Sequence, residues 1–453
     1  MPFTDRGKTA LVLSGGGSKG SYQAGVWQAL AEAGIKIDMA FGTSVGAINA
    51  AMVVLGDPGR TAELWQTLHT DMIFDIDDDG SAFYGRLASL VGDVNEFGNR
   101  TDGRVAGAIE RAAEKIDEKG KAFGAAIEKR SGMDADSALV YARKVITEHG
   151  VGSGALMQTL KKYISADDFF ASDVDYGMIT CTFPEFAGKY FYKEQIPENR
   201  LHEYIVASAS CFPAARYAEI DGRKYVDGGY HDNLPILMAM FRGAENIIAV
   251  DLHEVGIVDR SVLEETEEFH PSFMYIEPSH DLGNFLVFDP EVAARNVRFG
   301  YLDGMKSFGL LDGIYYTFES GAFPGGDIAG AEWAAQIFGA DDEKIYSRRE
   351  FLKTLEDSVA AEYLTGPMDV LQGRPFSVKT AAQALKRGIS RKAVVLYIAD
   401  AVADGSFGKI TGSRLGGAAI ESQTGERIIG DEISAAEFIA KYGLADGEKA
   451  LPE

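Results

Sequence analysis

Cysteine is nearly absent. Two residues in 453, Cys181 and Cys211, cannot build a disulfide framework, and their spacing fits no zinc pattern. Both are expected as buried, reduced thiols. Histidine is scarce as well. The seven are His69, His149, His202, His231, His253, His270 and His280, and none stands in a metal-binding or catalytic motif. No apolar run approaches the ~18 residues that a membrane span requires. The opening MPFTDRGKTALVL lacks the apolar stretch and small-residue cleavage site of a secretory leader. These absences lead us to expect a cytoplasmic protein. Positive charge is in deficit: 44 Lys and Arg face 68 Asp and Glu, for a net charge of −24. A surface of that sign repels phosphate backbones, so nucleic acid is not an expected partner. It also disfavours electrostatic adsorption to anionic lipid, although an apolar patch can still engage a bilayer.

What remains is a globular composition, 46% hydrophobic and rich in glycine, long enough for about two to three domains. Thr9–Leu13 (TALVL) is a short apolar run ending at glycine, as a buried parallel strand would be. Ser21–Ala33 has helical spacing and Gly34 as its stop. A second short run at Asp38–Phe41 precedes Val45–Leu55, a helix built from small residues. Asp57-Pro58 then provides a cap and a first-turn proline for another helix through Leu68. Strand and helix in short alternation predict an α/β core around a mainly parallel sheet. The pattern breaks at Asp75–Gly80 (DIDDDG). From there to about residue 165 we expect a helical insertion, with Ala106–Ile127 and Ala135–Glu148 as its clearest segments. Strand patterns return at Gly177–Phe183, Lys189–Lys193 and Asn246–Leu252, and a helix at Leu201–Ser210. Asp221-Gly222 reads as a hairpin turn, and Asp289-Pro290 opens a long helix. Residues 319–453 read as a mostly helical second module without catalytic spacing, following a first domain over 1–318.

Two glycine motifs carry the chemistry. Gly42-Thr43-Ser44-Val45-Gly46 lies between a strand and an apolar helix, the setting of a nucleophile elbow, in which a tight turn lifts a serine hydroxyl above the sheet edge. Gly15-Gly16-Gly17 lies between the first strand and the first helix. A nucleotide loop would need G-x-x-x-x-G-K-[ST], but here Lys19 precedes Gly20. A dinucleotide fingerprint can be drawn through Gly15, Gly17 and Gly20 with Asp38 downstream. A close helix–strand crossing would also favour glycine. The nearby elbow serine favours a third function, an oxyanion hole of bare backbone N–H groups. A serine needs a base within reach. The candidates are His231 and Asp227, the latter where a strand ends in Val226-Asp227-Gly228-Gly229.

Taken together, LVLSGGGSKG (Leu11–Gly20), FGTSVGAINAA (Phe41–Ala51), ASASCFP (Ala207–Pro213) and YVDGGYHDNLP (Tyr225–Pro235) resemble the patatin-like phospholipase family in order and spacing. The resemblance implies a three-layer α/β core. It also implies Ser44 as nucleophile and Asp227 as base, a dyad that uses no histidine. The Gly15, Gly16 and Gly17 turn and the Val45 N–H would form the oxyanion hole, with Gly42, Gly46, Gly228 and Gly229 shaping the turns. The implied reaction is cleavage of carboxylic esters of lipids or phospholipids through an acyl-enzyme, of phospholipase A or lysophospholipase type. The substrate would be met singly or at a membrane surface, with no metal, organic cofactor or nucleotide required. The oligomeric state is left open. A competing expectation is a lipid- or acyl-binding regulator on the same fold whose hydrolase activity is weak or lost.

Overall fold

The computed structural model describes residues 7–75, 152–212, 214–254, 256–269, 272–365, 371, 377–405, 407 and 430–445. The segments Ala106–Ile127 and Ala135–Glu148, and most of the expected insertion over 76–165, lie outside the described residues. The chain divides into two compact units, Met1–Ser307 and Phe308–Glu453.

The first unit begins with β1 (Thr9–Leu13) and α1 (Gly20–Glu32), then β2 (Met39–Thr43), α2 (Val45–Leu55) and α3 (Pro58–Thr67). Asp57 caps α3 by accepting from the Arg60 N–H at 2.9 Å, as the Asp-Pro pair predicts. After α4 (Gly154–Tyr163) and α5 (Ala166–Ala171) come β3 (Asp175–Thr182), β4 (Gly188–Tyr192) and α6 (Leu201–Ser208). β5 (Ala218–Ile220) and β6 (Arg223–Asp227) form a hairpin whose turn, Asp221-Gly222, has positive φ at both positions. That is the geometry the Asp-Gly pair predicts. The unit ends with α7 (Ile236–Phe241), β7 (Asn246–Val250), α8 (Arg260–Phe269), β8 (Phe273–Ile276) and α9 (Pro290–Ser307). The sequence pattern does not announce α8 and β8. β8 is only four residues of half-buried edge strand, too short for a period to register, and it is held by parallel pairing to β7.

Strands β3, β2, β1, β7 and β8 run parallel in that order, while β4, β5 and β6 join antiparallel, so the sheet is mainly parallel. Alternate residues face opposite layers. Ala10, Val12, Met39, Phe41, Ile247 and Ala249 share one core with α7 and α8. Leu11, Leu13, Ala40 and Ile248 are equally buried on the other face, where α1 and α2 pack. α2 runs directly beneath the sheet, and ten of its eleven residues are buried. Only small side chains such as Ala47, Ala50 and Ala51 allow so close an approach.

The second unit contains helices α10 (Gly325–Phe338), α11 (Arg348–Thr365), α12 (Val378–Lys386), α13 (Arg391–Ala403) and α14 (Gly430–Lys441) around its own core. A small sheet of β9 (Leu311–Asp312), β10 (Thr317–Glu319) and β11 (Ile345–Tyr346) accompanies them and was not foreseen. Strands of two or three residues carry no periodicity. Among the described residues, no helix is long and apolar enough to cross a membrane.

Candidate active site

The register of β3 explains how Ser44 and Asp227 meet. Gly177 and Ile179 each pair with both β2 and β4, and Cys181 pairs with both β4 and β6. β4 therefore occupies one edge of β3, while β2 and β6 share the other edge end to end. β2 stops at Thr43, opposite Ile179, and β6 arrives from the opposite direction and stops at Asp227, opposite Thr180. The residue after one strand and the last residue of the other thus become neighbours, although 183 positions separate them in the chain.

Ser44 sits at φ 56°, ψ −125°, a strained conformation for a residue with a side chain, between β2 and the first residue of α2. The bend holds only because the chain can pass close by. A Cβ on Gly46 would strike the Leu13 carbonyl, and the Ser14 oxygen would lie 2.6 Å from it. On the other strand, a Cβ on Gly228 would strike the Ile179 carbonyl and stand 3.0 Å from Thr43 Cγ2, so this turn crosses closely over β3 towards the elbow. Ser44 is 8% and Asp227 6% exposed, which removes both from bulk water. The Ser44 hydroxyl lies close enough to act on the Asp227 carboxyl.

Burial raises the Asp227 carboxyl to about 6, while the Ser44 hydroxyl and the Gly229 N–H pull the other way. The Gly229 bond measures 2.8 Å and the Asp227 N–H donates to the Ser210 carbonyl at 2.9 Å, so the carboxylate is held in place. A base whose affinity for a proton lies near neutrality is ionised at pH 7 yet basic enough to accept one. Burial also lifts Cys181 and Cys211 to about 12, with Asp227 adding to both. Both thiols are free, Cys181 buried and Cys211 half-buried.

The glycine turn lies against the elbow. Gly15 is so close that a Cβ there would meet Ser44 Cβ at 3.1 Å. Its N–H donates to the Asn233 carbonyl at 3.2 Å, and Asn233 Nδ2 returns a bond to the Gly15 carbonyl at 3.3 Å. Gly17 has φ 57°. The N–H groups of Gly16, Gly17 and Val45 make no hydrogen bond among the described residues, and Val45 opens α2, whose positive end faces this turn of the chain. Asp38, the carboxylate of the nucleotide alternative, accepts from the Thr9 N–H at 3.0 Å and pairs with Lys36, which ties it to the strand starts.

His231 is exposed, packs edge-on against Tyr190 with ring centres 6.0 Å apart, and acts electrostatically on Asp232. His202 bonds the Ile164 carbonyl, His253 pairs with Glu277, and His280 stacks on Phe299. No described histidine bonds to Ser44 or Asp227; His149 and His270 lie outside the described residues.

Two supporting groups were not legible in the motifs. Ser208 Oγ accepts the Ser44 N–H at 2.9 Å and donates to the Ile179 carbonyl at 2.6 Å, pinning the elbow to β3. Ser208 belongs to the ASASCFP block, and a lone serine at the end of a helix carries no signal of its own. Beneath the turn, Trp65 Nε1 donates to Asn49 Oδ1, Asn49 Nδ2 to Gln23 Oε1, and Gln23 Nε2 to the Ser14 carbonyl, each at 2.8 Å. This buried chain links α3, α2 and α1 to the residue preceding the glycine turn.

An elbow serine, a buried aspartate and a glycine turn thus meet at one end of a mainly parallel α/β sheet. The patatin-like phospholipase family model matches residues 11–240, just over half of the chain. The chain belongs to the patatin-like phospholipase family, a membership that implies lipid substrates and is consistent with lipid acyl hydrolysis. A 42-residue segment is 60% identical to lysophospholipase nte1 of Aspergillus terreus, spanning 9% of this chain and 3% of that protein. A 43-residue segment is 54% identical to patatin-like phospholipase domain-containing protein 7 of Rattus norvegicus, spanning 10% and 3%. The matched part is thus a small fraction of either relative. Among solved structures, VipD from Legionella pneumophila aligns over 97% of this chain and 92% of its own, at 14% identity and a TM-score of 0.37. Full-length ExoU of Pseudomonas aeruginosa, in complex with SpcU, aligns over 87% and 79%, at 17% identity and a TM-score of 0.27.

Proposed function

We propose that the protein is a serine acyl hydrolase that cleaves carboxylic esters of lipids or phospholipids with a Ser44–Asp227 dyad. The observation that carries this reading is the strand register that brings a strained elbow serine beside a buried carboxylate raised to about 6. Asp227 takes the Ser44 proton as Oγ attacks the ester carbonyl carbon. The N–H groups of Gly16, Gly17 and Val45 receive the developing oxyanion, while Gly15, bonded to Asn233, anchors the turn. Collapse of the tetrahedral intermediate expels the alkoxide, which takes the proton from Asp227, and leaves an acyl-serine. Water, deprotonated by Asp227, then attacks that ester, the bond from the acyl carbon to Ser44 Oγ breaks, Oγ takes the proton back from Asp227, and the fatty acid departs. Desolvation of the carboxylate supports its role as base, because an exposed aspartate would be a much weaker proton acceptor.

The test is labelling with a fluorophosphonate, which needs an activated serine, alongside turnover of a short acyl ester. Wild type should label and turn over, and Ser44→Ala should do neither, losing on the order of 10³-fold or more in rate. A folded wild-type protein that resists labelling would support the lipid-binding regulator instead.

A further inference from the structure

The two hairpins beside the site project past the level of the dyad. β3 continues through Thr182, three residues beyond Ile179, before turning back into β4, and the Phe183 N–H pairs with the Lys224 carbonyl at 2.9 Å. The β5–β6 turn at Asp221-Gly222 lies farther out still, because β6 descends from it to reach Asp227. The rings gathered on this projection are only half-buried. Phe183 packs with Phe212 at 5.2 Å and with Tyr217 at 5.8 Å, Phe186 packs with Tyr230 at 5.2 Å, and Phe183 and Phe186 are 5.7 Å apart.

Cations border these rings. Lys224 Nζ lies 4.4 Å from the Tyr217 ring centre, and Lys189, Arg216 and Arg223 are exposed. None of the four pairs with a carboxylate among the described residues, whereas Arg200 next to the same hairpin is held by Glu203 and Asp221. The same two hairpins carry Glu185, Glu219 opposite Lys224, and Asp221 paired with Arg200, so four cations stand against three carboxylates in a chain of net charge −24. Aromatic rings with cations at their border are the composition that partitions to the headgroup level of a membrane. The net charge describes the surface average, and this face departs from it.

We propose that the β3–β4 and β5–β6 hairpins form the face on which the protein rests on an anionic phospholipid bilayer, with Ser44 and Asp227 at its foot. The proposal rests on the lipid-hydrolase reading, and its test is independent of hydrolysis. The full chain is floated with vesicles of ether-linked phosphatidylcholine, or of that lipid mixed equally with ether-linked phosphatidylserine, none of which carries an acyl ester. Binding to the mixed vesicles should be at least about tenfold tighter than to the neutral ones, with added salt narrowing the gap. Arg216→Glu/Arg223→Glu should lose about tenfold or more on mixed vesicles. Lys386→Glu/Arg387→Glu, which makes the same charge change at exposed positions of the second unit, should change binding less than about twofold. Should circular dichroism show the hairpin double variant unfolded, Lys189→Glu is read in its place and should weaken binding in the same direction. Equal weakening by the two double variants, or no preference of wild type for anionic vesicles, would overturn the proposal. Loss of ester turnover with vesicle binding intact would count against the hydrolase reading alone.

Discussion

Asp227 determines several properties at once, because burial sets its affinity for protons. If it is the base, kcat/KM should climb as pH rises through about 6 and then level off, since only the carboxylate accepts the Ser44 proton. Asp227→Asn should cost about as much activity as Ser44→Ala, and His231→Ala should stay within about threefold of wild type. An inactive but folded His231→Ala protein would restore a histidine triad. The same raised carboxyl makes a second, opposite prediction for stability. The native state keeps its proton up to about 6, while an unfolded aspartate releases it near ~4. Over that window the native state binds more protons, so this group's contribution to stability falls as pH rises and is lowest above the folded value. Asp227→Asn should therefore melt higher than wild type at pH 8, by roughly 1–3 kcal/mol, and the gain should vanish below about pH 4. Thermal melts at the two pH values check this; an equal or lower melting temperature at pH 8 would mean that burial is not what raises the group. Ser208→Ala tests the elbow pin. Losing the acceptor for the buried Ser44 N–H should lower kcat about tenfold, with KM little changed.

Between elements, the chain Trp65–Asn49–Gln23–Ser14 is the main polar link under the site. It binds α3 to α2, α2 to α1, and α1 to the carbonyl just before the glycine turn. Every member except that carbonyl is a side chain whose partner lies on another helix, so helical periodicity contains no trace of it. Asn49→Ala should leave Trp65 Nε1 and Gln23 Oε1 without partners and cost about 1–3 kcal/mol for each unsatisfied group, read as a lower denaturation midpoint. A midpoint within error of wild type would mean that water replaces Asn49 without loss. By contrast, β1, β2, α2 and α3 were legible to within a residue or two, because TALVL, the Gly-x-Ser-x-Gly turn and the Asp-Pro cap each act within a few residues. α8 and β8 lacked such local markers and depend on β7 for their place.

Each of the two units holds a core of its own, one around the large sheet and one around α10, α11, α13 and α14. Residues 308–453 expressed alone should therefore give helical circular dichroism and a cooperative melt. A gradual, non-cooperative loss of signal would show that this core is incomplete without residues 1–307.

The motifs carried their own local geometry: a bend at Ser44, an open N–H turn at Gly16 and Gly17, and a carboxylate at the end of a strand. These follow from backbone sterics and capping within short stretches of chain, so a single sequence suffices to read them. The partnership of Ser44 with Asp227 is of another kind. It arises because β2 and β6 share one edge of β3 end to end, a register created by pairing β3 with one strand 136 residues before it and another 47 residues after it, counted at Phe41–Gly177 and Thr180–Asp227. The raised Asp227 carboxyl, the Ser208 pin and the cation-bordered hairpins depend on that same assembly. Desolvation and long-range hydrogen bonding exist only once distant segments have packed together.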